Sequence, residues 1–490
     1  MTQPITSNLN RKSFTSFVRP AGLADGLALK DRASRGFTAG LAPETRVPRS
    51  AVLVVRGLGR RHYEHAKGKL VAVAFCRSIT PVVAKVRGAM RRMLLCPLIA
   101  ACALFIAACG TQTKLITTPA VTIATSSVHA PVQLGFPLIA TKNTTRVPGP
   151  DPIADAAGVA LAVYPSEGAG THPSVVTLAP TGDWEAALAS SVLMAAPIRA
   201  PILLSGPSSL PPVTGKALTA LAPSGSGASG GAQVIRVGQV PSIIGLKTMA
   251  IRGGDPFTLA AAIDRFASAA AGTASPDVII ASADDPQYAM PAAGLAAESG
   301  DPILFVNSSG VPAPTVQALI SHRKPHIYVL GPASVIPDSV LAQLRKYGTV
   351  NRVAGTDPAS NSVAFAKYRD PACITGQPCA HVPGSFGWAI ESPGHGYILL
   401  NASRPLDAAA AAPLSASGGF GPQLLVTDPS TLPTSVVNYL VAYATPGYTA
   451  EGPTAAVYNH GWLIGDQTAI SLSVQAEVDT LLEAVPVPQK

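Results

Sequence analysis

The chain has 490 residues, of which 47% are hydrophobic and 13% charged, so it is long enough for several domains and too apolar for disorder throughout. Its net charge of +9 would suit a nucleic-acid or anionic partner, but the charge is unevenly placed. Residues 1–108 hold 18 of the 36 Lys and Arg residues, whereas residues 109–490 carry a net charge of −5. We therefore expect no nucleic-acid partner.

The first 89 residues are rich in Arg, Ser and Ala and lack sustained hydrophobic periodicity. They stand before Met90, behind which a complete secretory signal begins. One hypothesis is that translation starts at Met90 or Met93 and that residues 1–89 are an over-extended reading frame. The alternative is a long, disordered basic segment on the cytoplasmic side.

Residues 90–108 have the layout of a signal peptide. Arg91 and Arg92 precede the apolar run 93–108, which is short for a membrane span. The run ends in Ile-Ala-Ala before Cys109, and this tetrapeptide resembles the lipobox of bacterial lipoproteins. The resemblance implies a diacylglycerol on Cys109 and attachment to the outer face of the cytoplasmic membrane. A signal anchor that happens to contain a cysteine is the alternative.

The segment after the lipobox, residues 109–144, is rich in Thr, Ser and Ala and is predicted to be a flexible tether. Beyond it the only cysteines are Cys373 and Cys379, which lie in the loop sequence PACITGQPCAH. A disulfide between them would suit an exported protein. A metal site with His381 and His395 is the rival interpretation, although no CxxC pair is present.

Three sequence landmarks recur in the same order along the rest of the chain. The first landmark is a Gly-x-Asp-Pro sequence, the second a Pro followed by an apolar run, and the third an apolar run ending in Gly. The first occurs at 149–152, 253–256 and 355–358, the second at 201–204, 302–305 and 422–425, and the third at 234–238, 327–331 and 462–465. The chain therefore contains three copies of one unit.

The middle copy gives the clearest succession of elements. Helical periodicity over 257–271 is followed by a strand at 277–282, an Ala-rich helix at 290–299 and a strand at 302–306. A helix at 315–321, a strand at 326–331 and a helix at 337–347 complete the copy. Short apolar strands that alternate with helices predict an α/β unit with a parallel sheet buried on both faces.

These landmarks resemble the cell wall binding repeat 2 family. The resemblance implies three tandem Rossmann-like modules in a pseudo-threefold arrangement, and it predicts repeats at 145–245, 246–346 and 347–490. It also implies non-covalent binding of an anionic cell-wall polymer through residues around the Pro-Ile-Leu-Leu sequence.

The chain departs from the family pattern at several positions. Pro152, Pro256 and Pro358 stand where the family often has Arg-Tyr after the Asp. The family's Asp before Ala-Leu is present as Asp407, whereas the first two copies have Ala186 and Tyr288, and Gln423 replaces an apolar residue in the third copy.

Candidate polymer contacts follow from the open α/β architecture, in which ligands bind at the carboxyl ends of the strands. The residues predicted there are Ser205, Asn307 and Thr427. Arg199, Arg236 and Arg323 are predicted to supply positive charge for phosphate or carboxylate groups. A plain solvated surface would explain each of the six equally well.

Enzymatic chemistry is not predicted. The segment 227–231 matches the G-x-S-x-G pattern of serine hydrolases, but it lies in a low-complexity loop. Asp284 and Asp285 suit a turn, and the Asp of each Gly-x-Asp-Pro landmark suits a helix cap. We expect no catalytic residue, no cofactor and no metal. The sequence favours an envelope-attached wall-binding lipoprotein, and the alternative is a solute-binding lipoprotein with a small ligand in an α/β cleft.

Overall fold

The computed structural model describes residues 139–168, 170–373, 379, 385–417, 420–448 and 457–486, all within one compact unit that spans residues 124–490. The predicted signal peptide and Cys109 lie outside the described residues. Among the helices of the described part, none is long and apolar enough to cross a membrane.

Fifteen β-strands are present in the described residues, and most of them belong to three sheets of parallel strands. The strands are β1 Ile139–Ala140, β2 Thr144–Val147, β3 Val176–Pro180, β4 Ile202–Ser205, β5 Val234–Val237, β6 Thr248–Ile251, β7 Asp277–Ser282, β8 Ile303–Val306, β9 His326–Leu330, β10 Thr349–Val353, β11 Gly396–Asn401, β12 Phe420–Val426, β13 Gly447–Tyr448, β14 His460–Ile464 and β15 Val485–Pro486.

Twelve α-helices of the described residues cover these sheets. They are α1 Pro152–Val163, α2 Trp184–Ala189, α3 Pro212–Leu221, α4 Pro256–Ala271, α5 Pro286–Ala289, α6 Ala292–Ser299, α7 Ala313–Ser321, α8 Asp338–Leu344, α9 Pro358–Lys367, α10 Leu406–Ser415, α11 Thr434–Tyr439 and α12 Leu472–Leu481. The α/β class is confirmed, and the elements predicted for the middle copy are confirmed to within a few residues.

The three sheets share one strand order. The first sheet is β4-β3-β5-β6, the second is β8-β7-β9-β10, and the third is β12-β11-β14-β2 with β1 added antiparallel to β2. In each sheet the last parallel strand lies across a predicted repeat boundary: β6 and β10 belong to the sequence of the following repeat. In the third sheet that place is taken by β2, from the start of the first repeat.

The third sheet therefore closes the described fold on itself, because it joins residues 144–147 to the last repeat. Residues 139–144, the end of the predicted tether, lie in this sheet or in the turn leading to it. Asp479 fixes Asn143 there: its Oδ1 accepts the backbone N–H of Asn143 at 2.7 Å, and its carbonyl oxygen accepts the side-chain Nδ2–H at 2.9 Å. Pairing between strands so far apart in the sequence has no local sequence signal. The sequence therefore predicted the three repeats but not the pairing of β2 with the last repeat.

The Gly-x-Asp-Pro landmark begins a helix in every copy. The side chains of Asp151, Asp255 and Asp357 each accept the backbone N–H of the residue three positions later, and Pro occupies the first helical turn. The helix-capping interpretation of these three Asp residues is confirmed. The landmark Gly is required by close packing: a Cβ on Gly355 would lie 2.2 Å from the backbone N of Asn361.

In the first and third copies an Arg-Val pair stands just before the Gly-x-Asp-Pro landmark, and its Arg holds the loop that follows the neighbouring strand. Arg146 is fully buried and donates to the carbonyl oxygens of Gly465 and Asp466 at 2.8 and 3.0 Å. Arg352 donates to the carbonyl oxygen of Gly331 at 2.6 Å in the same way. Buried backbone carbonyls need such donors, so the landmark Arg is explained by folding alone.

The centre of the unit is built from the Ala-rich helices α2, α6 and α10, with a 3-10 segment, Ser190–Met194, continuing α2. These elements contact one another in all three pairings. Their small side chains allow the backbones to approach closely, and a Cβ on Gly294 would lie 2.6 Å from Ser415 Oγ of α10. One large apolar cluster runs through all three repeats, so the repeats are packed together rather than strung along a linker.

Candidate functional site

The Pro-Ile-Leu-Leu strands are buried, and their ends are largely used by the loops that follow them. Ser205 is fully buried, and its hydroxyl donates to the carbonyl oxygen of Gly206 at 3.0 Å. The side-chain oxygen of Asn307 accepts the backbone N–H groups of Ser309 and Gly310 at 3.1 and 3.0 Å. Of the three predicted contacts at strand ends, only Thr427 is exposed.

The predicted cationic contacts lie elsewhere. Arg199 and Arg323 are exposed, and each stands in the turn before a strand, β4 and β9 respectively. Residues before and after a strand lie at opposite edges of its sheet, so these two arginines are at the amino edge and Ser205 is at the carboxyl edge. Arg236 lies within β5, is half-buried, and donates to the carbonyl oxygen of Val240 at 3.2 Å. The six predicted contacts therefore do not form one site.

Charge is unevenly distributed between the two edges, although Arg252 and Arg404 also lie at carboxyl edges and the buried Asp277 and Asp301 lie at amino edges. The acidic residues at the carboxyl edges are Asp151, Asp183, Asp255, Asp284, Asp285, Asp357, Asp428 and Asp466. Basic residues at the amino edges of the first two sheets are Arg199, Lys247, Arg323 and Lys324. A negatively charged group would therefore be repelled less at the amino edges of the first two sheets than at the carboxyl edges.

A buried ion cluster at the carboxyl edge of the third sheet was not predicted as a unit from the sequence. Arg404 Nη2 lies 2.5 Å from Asp155 Oδ2, and Arg404 Nε lies 2.7 Å from Asp407 Oδ2. Both carboxylates are fully buried, and 16% of the Arg404 side chain is exposed. Asp155 also accepts the backbone N–H of Gly149 at 2.8 Å. The cluster joins helix α1 of the first repeat to helix α10 of the third.

The chemistry of this cluster is that of two acids sharing one cation. Burial raises the pKa of Asp155, the nearby Asp407 raises it further, and Arg404 opposes both effects. Burial likewise raises the pKa of Asp407 against the influence of Arg404. The positions that correspond to Asp155 are Leu259 in the second repeat and Asn361 in the third. The charged arrangement therefore occurs at the seam between the first and third repeats, and uncharged residues replace Asp155 at the other two contacts between repeats.

A second buried pair lies in the middle repeat. His322 Nε2 lies 3.0 Å from both carboxylate oxygens of Asp264, and Nδ1 lies 2.7 Å from the carbonyl oxygen of Ser275. Because a carbonyl and a carboxylate only accept, both ring nitrogens must donate, which requires an imidazolium. Burial lowers the pKa of His322, but its hydrogen bond and attraction to Asp264 outweigh this, and the pKa is raised overall.

Other sequence candidates have structural roles. Ser229 of the G-x-S-x-G match is buried in a 3-10 turn, and its hydroxyl donates to the carbonyl oxygen of Ala232 at 2.6 Å. Asp284 accepts the backbone N–H of Ser308 at 2.6 Å, as expected of a turn residue. Cys373 and Cys379 are joined by a disulfide, and His381 lies outside the described residues.

Comparison with known proteins agrees with the fold. The family described as Cell wall binding domain 2 (CWB2) matches residues 250–341, nearly all of the middle repeat, which confirms the resemblance found from the sequence. No curated protein matches the chain.

Two solved structures from Clostridium difficile have a similar fold. Cwp6 superposes with a TM-score of 0.53 at 17% identity, and Cwp8 with a TM-score of 0.51 at 18% identity. Each alignment covers 70% of this chain but only 48% of the Cwp6 chain and 53% of the Cwp8 chain, so this chain spans about half the length of these neighbours.

Proposed function

We propose that the chain is an exported, lipid-anchored envelope protein whose repeats bind an anionic cell-wall polymer without a covalent bond. The observation that supports it most is the match of residues 250–341 to a cell wall binding domain, within a chain that builds the same sheet three times. Two or more weak sites on one rigid unit would retain a polymer far more tightly than one site, through effective concentration. The protein acts by binding and needs no catalytic residue.

We infer that the polymer lies along the amino edges of the first two sheets, where Arg199 and Arg323 are exposed. A guanidinium can bind phosphate or carboxylate through two parallel hydrogen bonds. Ser205 and Asn307 contribute indirectly, by fixing the loops after their strands. Arg236 supports the loop at Val240, and a change there is expected to act on stability.

A pull-down with purified cell walls tests this function. The full chain should be retained by walls, and retention should fall with salt, because exposed charges are screened over about 8 Å at physiological ionic strength. The Arg199→Gln/Arg323→Gln double variant should be retained less. Arg252→Gln is the matched control, since Arg252 is exposed but follows strand β6 at the carboxyl edge. Equal retention of all variants, indifferent to salt, would exclude polyanion binding at this edge.

The membrane anchor has its own test. Cys109→Ala should leave an unlipidated and unprocessed precursor, because the thiol is the proposed acylation site. Two acyl chains hold a protein firmly on a membrane, whereas one chain binds only marginally. Membrane fractionation and electrophoretic mobility should both change in the variant. If both are unchanged, Cys109 is not the lipid attachment site.

The alternative, a solute-binding lipoprotein, would hold one small ligand in a cleft and would ignore cell walls. The threefold repetition of one sheet does not favour it, because such proteins are typically two lobes around a single cleft. Equilibrium dialysis with small solutes, run beside the wall pull-down, separates the two functions. Tight binding of a solute, together with a protein that stays in the supernatant when the walls are pelleted, would support the alternative.

A further inference from the structure

An open groove of about 990 Å³ lies on the first repeat, between helix α3 and the loop 238–247 that joins strands β5 and β6. In the second and third repeats the strand that corresponds to β5 is followed by a helix, α8 after β9 and α12 after β14. The loop of the first repeat contains no helix. The groove therefore lies where the first repeat differs from the other two.

The tip of this loop presents an isoleucine to solvent. Ile243 and Leu246 pack against an apolar cluster of the first repeat, whereas Ile244 between them is 100% exposed, more than any other large apolar side chain of the described residues. Gly245 completes the turn with a φ of +83°. Turn positions are usually taken by Gly, Pro, Asn, Asp or Ser, so the turn itself does not require an isoleucine.

The charge around the groove is positive. Residues 186–254 contain five Lys and Arg and no Asp or Glu, although residues 109–490 as a whole carry a net charge of −5. Lys216 of helix α3 lines the groove and is exposed, and none of the lining residues, all of which are described, is acidic. Lys247, also exposed, donates to the carbonyl oxygen of Gly230 at 2.8 Å, which holds it beside the loop.

An apolar tip framed by lysines is complementary to an anionic lipid surface. The apolar side chain enters the boundary between headgroups and acyl chains, and the cations are attracted to the anionic headgroups. A hydrophilic wall polymer would satisfy the lysines but would leave Ile244 in water, whereas a bilayer accommodates both. The combination therefore favours a membrane over a polymer at this groove.

A membrane is also within reach of the first repeat. Ile139, the first residue of strand β1, lies 30 positions after Cys109, the proposed lipid attachment site. Fully extended chain of that length spans at most about 110 Å. The anchor would thus keep the groove at a high effective concentration next to the lipid, and a weak contact would suffice.

We propose that the loop 238–247 and helix α3 form a contact with an anionic lipid bilayer, with Ile244 inserted at the boundary between headgroups and acyl chains and Lys216 and Lys247 beside the headgroup phosphates. The contact rests on the proposed export and lipid anchor for its proximity to the membrane. It adds to that anchor a second, protein-made contact that fixes which side of the unit faces the bilayer.

Quenching of a tryptophan at position 244 by brominated lipids tests this contact. The full chain carrying Ile244→Trp is recovered by flotation on vesicles of equal parts phosphatidylcholine and phosphatidylglycerol, and the wild type supplies the background of its three tryptophans. Lipids brominated on their acyl chains should quench the added tryptophan, and should quench it less on vesicles of phosphatidylcholine alone. Emission from position 244 that brominated lipid leaves unchanged would overturn the proposal.

Ile320→Trp is the matched control. Thr214 of α3 and Thr315 of α7 each donate a hydroxyl to a carbonyl oxygen of the preceding strand at 2.7 Å, so the two helices correspond. Ile320 of α7 stands at the position of Thr219, which lines the groove, and it is 52% exposed. A tryptophan there should stay unquenched. Equal quenching at positions 244 and 320 would show a non-specific contact and would contradict the proposal.

The lysine contribution has its own readout. Lys216→Gln, added to Ile244→Trp, should lower the ratio of quenched to unquenched tryptophan on the mixed vesicles about fivefold, the effect expected of one lysine beside an anionic surface. Lys346→Gln, which removes an exposed lysine of the second repeat, should leave the ratio unchanged. Equal ratios for the two lysine variants would refute the assignment of an anionic surface.

Amide exchange of the wild-type chain gives a measurement that needs no substitution. Residues 243–247 should exchange more slowly on the mixed vesicles than in solution, while residues 331–337, which follow strand β9, should not change. Failure of this contact is distinct from failure of the proposed function. A chain that floats with vesicles but shows neither quenching at 244 nor slower exchange at 243–247 keeps its anchor and lacks the contact. Retention of Ile244→Trp by cell walls, measured beside the wild type, reports wall binding independently.

Discussion

Removal of Arg404 should destabilise the seam between the first and third repeats. Its guanidinium lies 2.5 Å from Asp155 and 2.7 Å from Asp407, both fully buried. Arg404→Met keeps much of the side-chain volume but leaves two buried carboxylates without their shared cation. Loss of one partner of a buried ion pair costs about 3–5 kcal/mol. At about 2 °C per kcal/mol, the Tm should fall by roughly 6–10 °C at pH 8.

The pH dependence of this stability loss shows whether the two buried carboxylates cause it. A carboxyl group whose pKa is raised by folding destabilises the fold once the pH exceeds its unfolded pKa, so protonation in acid relieves the cost. Burial raises the pKa of both Asp155 and Asp407. The stability lost in Arg404→Met should therefore be smaller at pH 5 than at pH 8. Calorimetry and urea unfolding at the two pH values measure this difference.

A second substitution should restore part of the loss. Asp155→Asn removes one of the orphaned charges, and Asn361 at the corresponding position of the third repeat accepts the backbone N–H of Gly355 at 3.1 Å, as Asp155 accepts that of Gly149. The Arg404→Met/Asp155→Asn variant should be more stable at pH 8 than Arg404→Met alone.

The control is an exposed ion pair. Lys142 pairs with Glu483 at the surface, so Lys142→Met should leave the Tm nearly unchanged. An equal loss for Arg404→Met at pH 5 and pH 8, with no recovery in the double variant, would refute the electrostatic account of the seam.

Two further variants probe packing and the second buried pair. Gly355→Ala should destabilise by about 1–3 kcal/mol, because its Cβ would meet the backbone at Asn361, whereas Gly254→Ala has open space and should be close to neutral by thermal unfolding. His322→Gln should cost more at pH 6 than at pH 9: folding raises the pKa of His322, so its ion pair with Asp264 stabilises fully below about 6.5 and is lost as pH rises through the raised pKa. A cost that does not vary with pH would contradict the imidazolium.

Local features of this fold could be predicted from the sequence. The strand at 277–282 and the helix ending at Ala271 follow from hydrophobic periodicity, and the caps at Asp255 and Asp357 follow from chemistry within four residues. The repetition of the landmarks then gave the number of units. Each of these signals is contained in a short stretch of chain.

The contacts between repeats could not be predicted in the same way. Arg404 and Asp155 are 249 residues apart, and neither periodicity nor composition links them. The same holds for strand β2, whose pairing with β14 depends on the packing of the whole unit. One feature of the site could have been predicted from the sequence. A residue before a strand and a residue after it lie at opposite edges of the sheet, and this separates Arg199 from Ser205.

Co-sedimentation with cell walls before and after their anionic polymers are removed tests the central claim most directly. The full chain should pellet with intact walls at low salt, remain in the supernatant with stripped walls, and be released from intact walls as salt rises. Retention on stripped walls equal to that on intact walls, or no retention on either, would contradict the claim that this protein holds an anionic wall polymer.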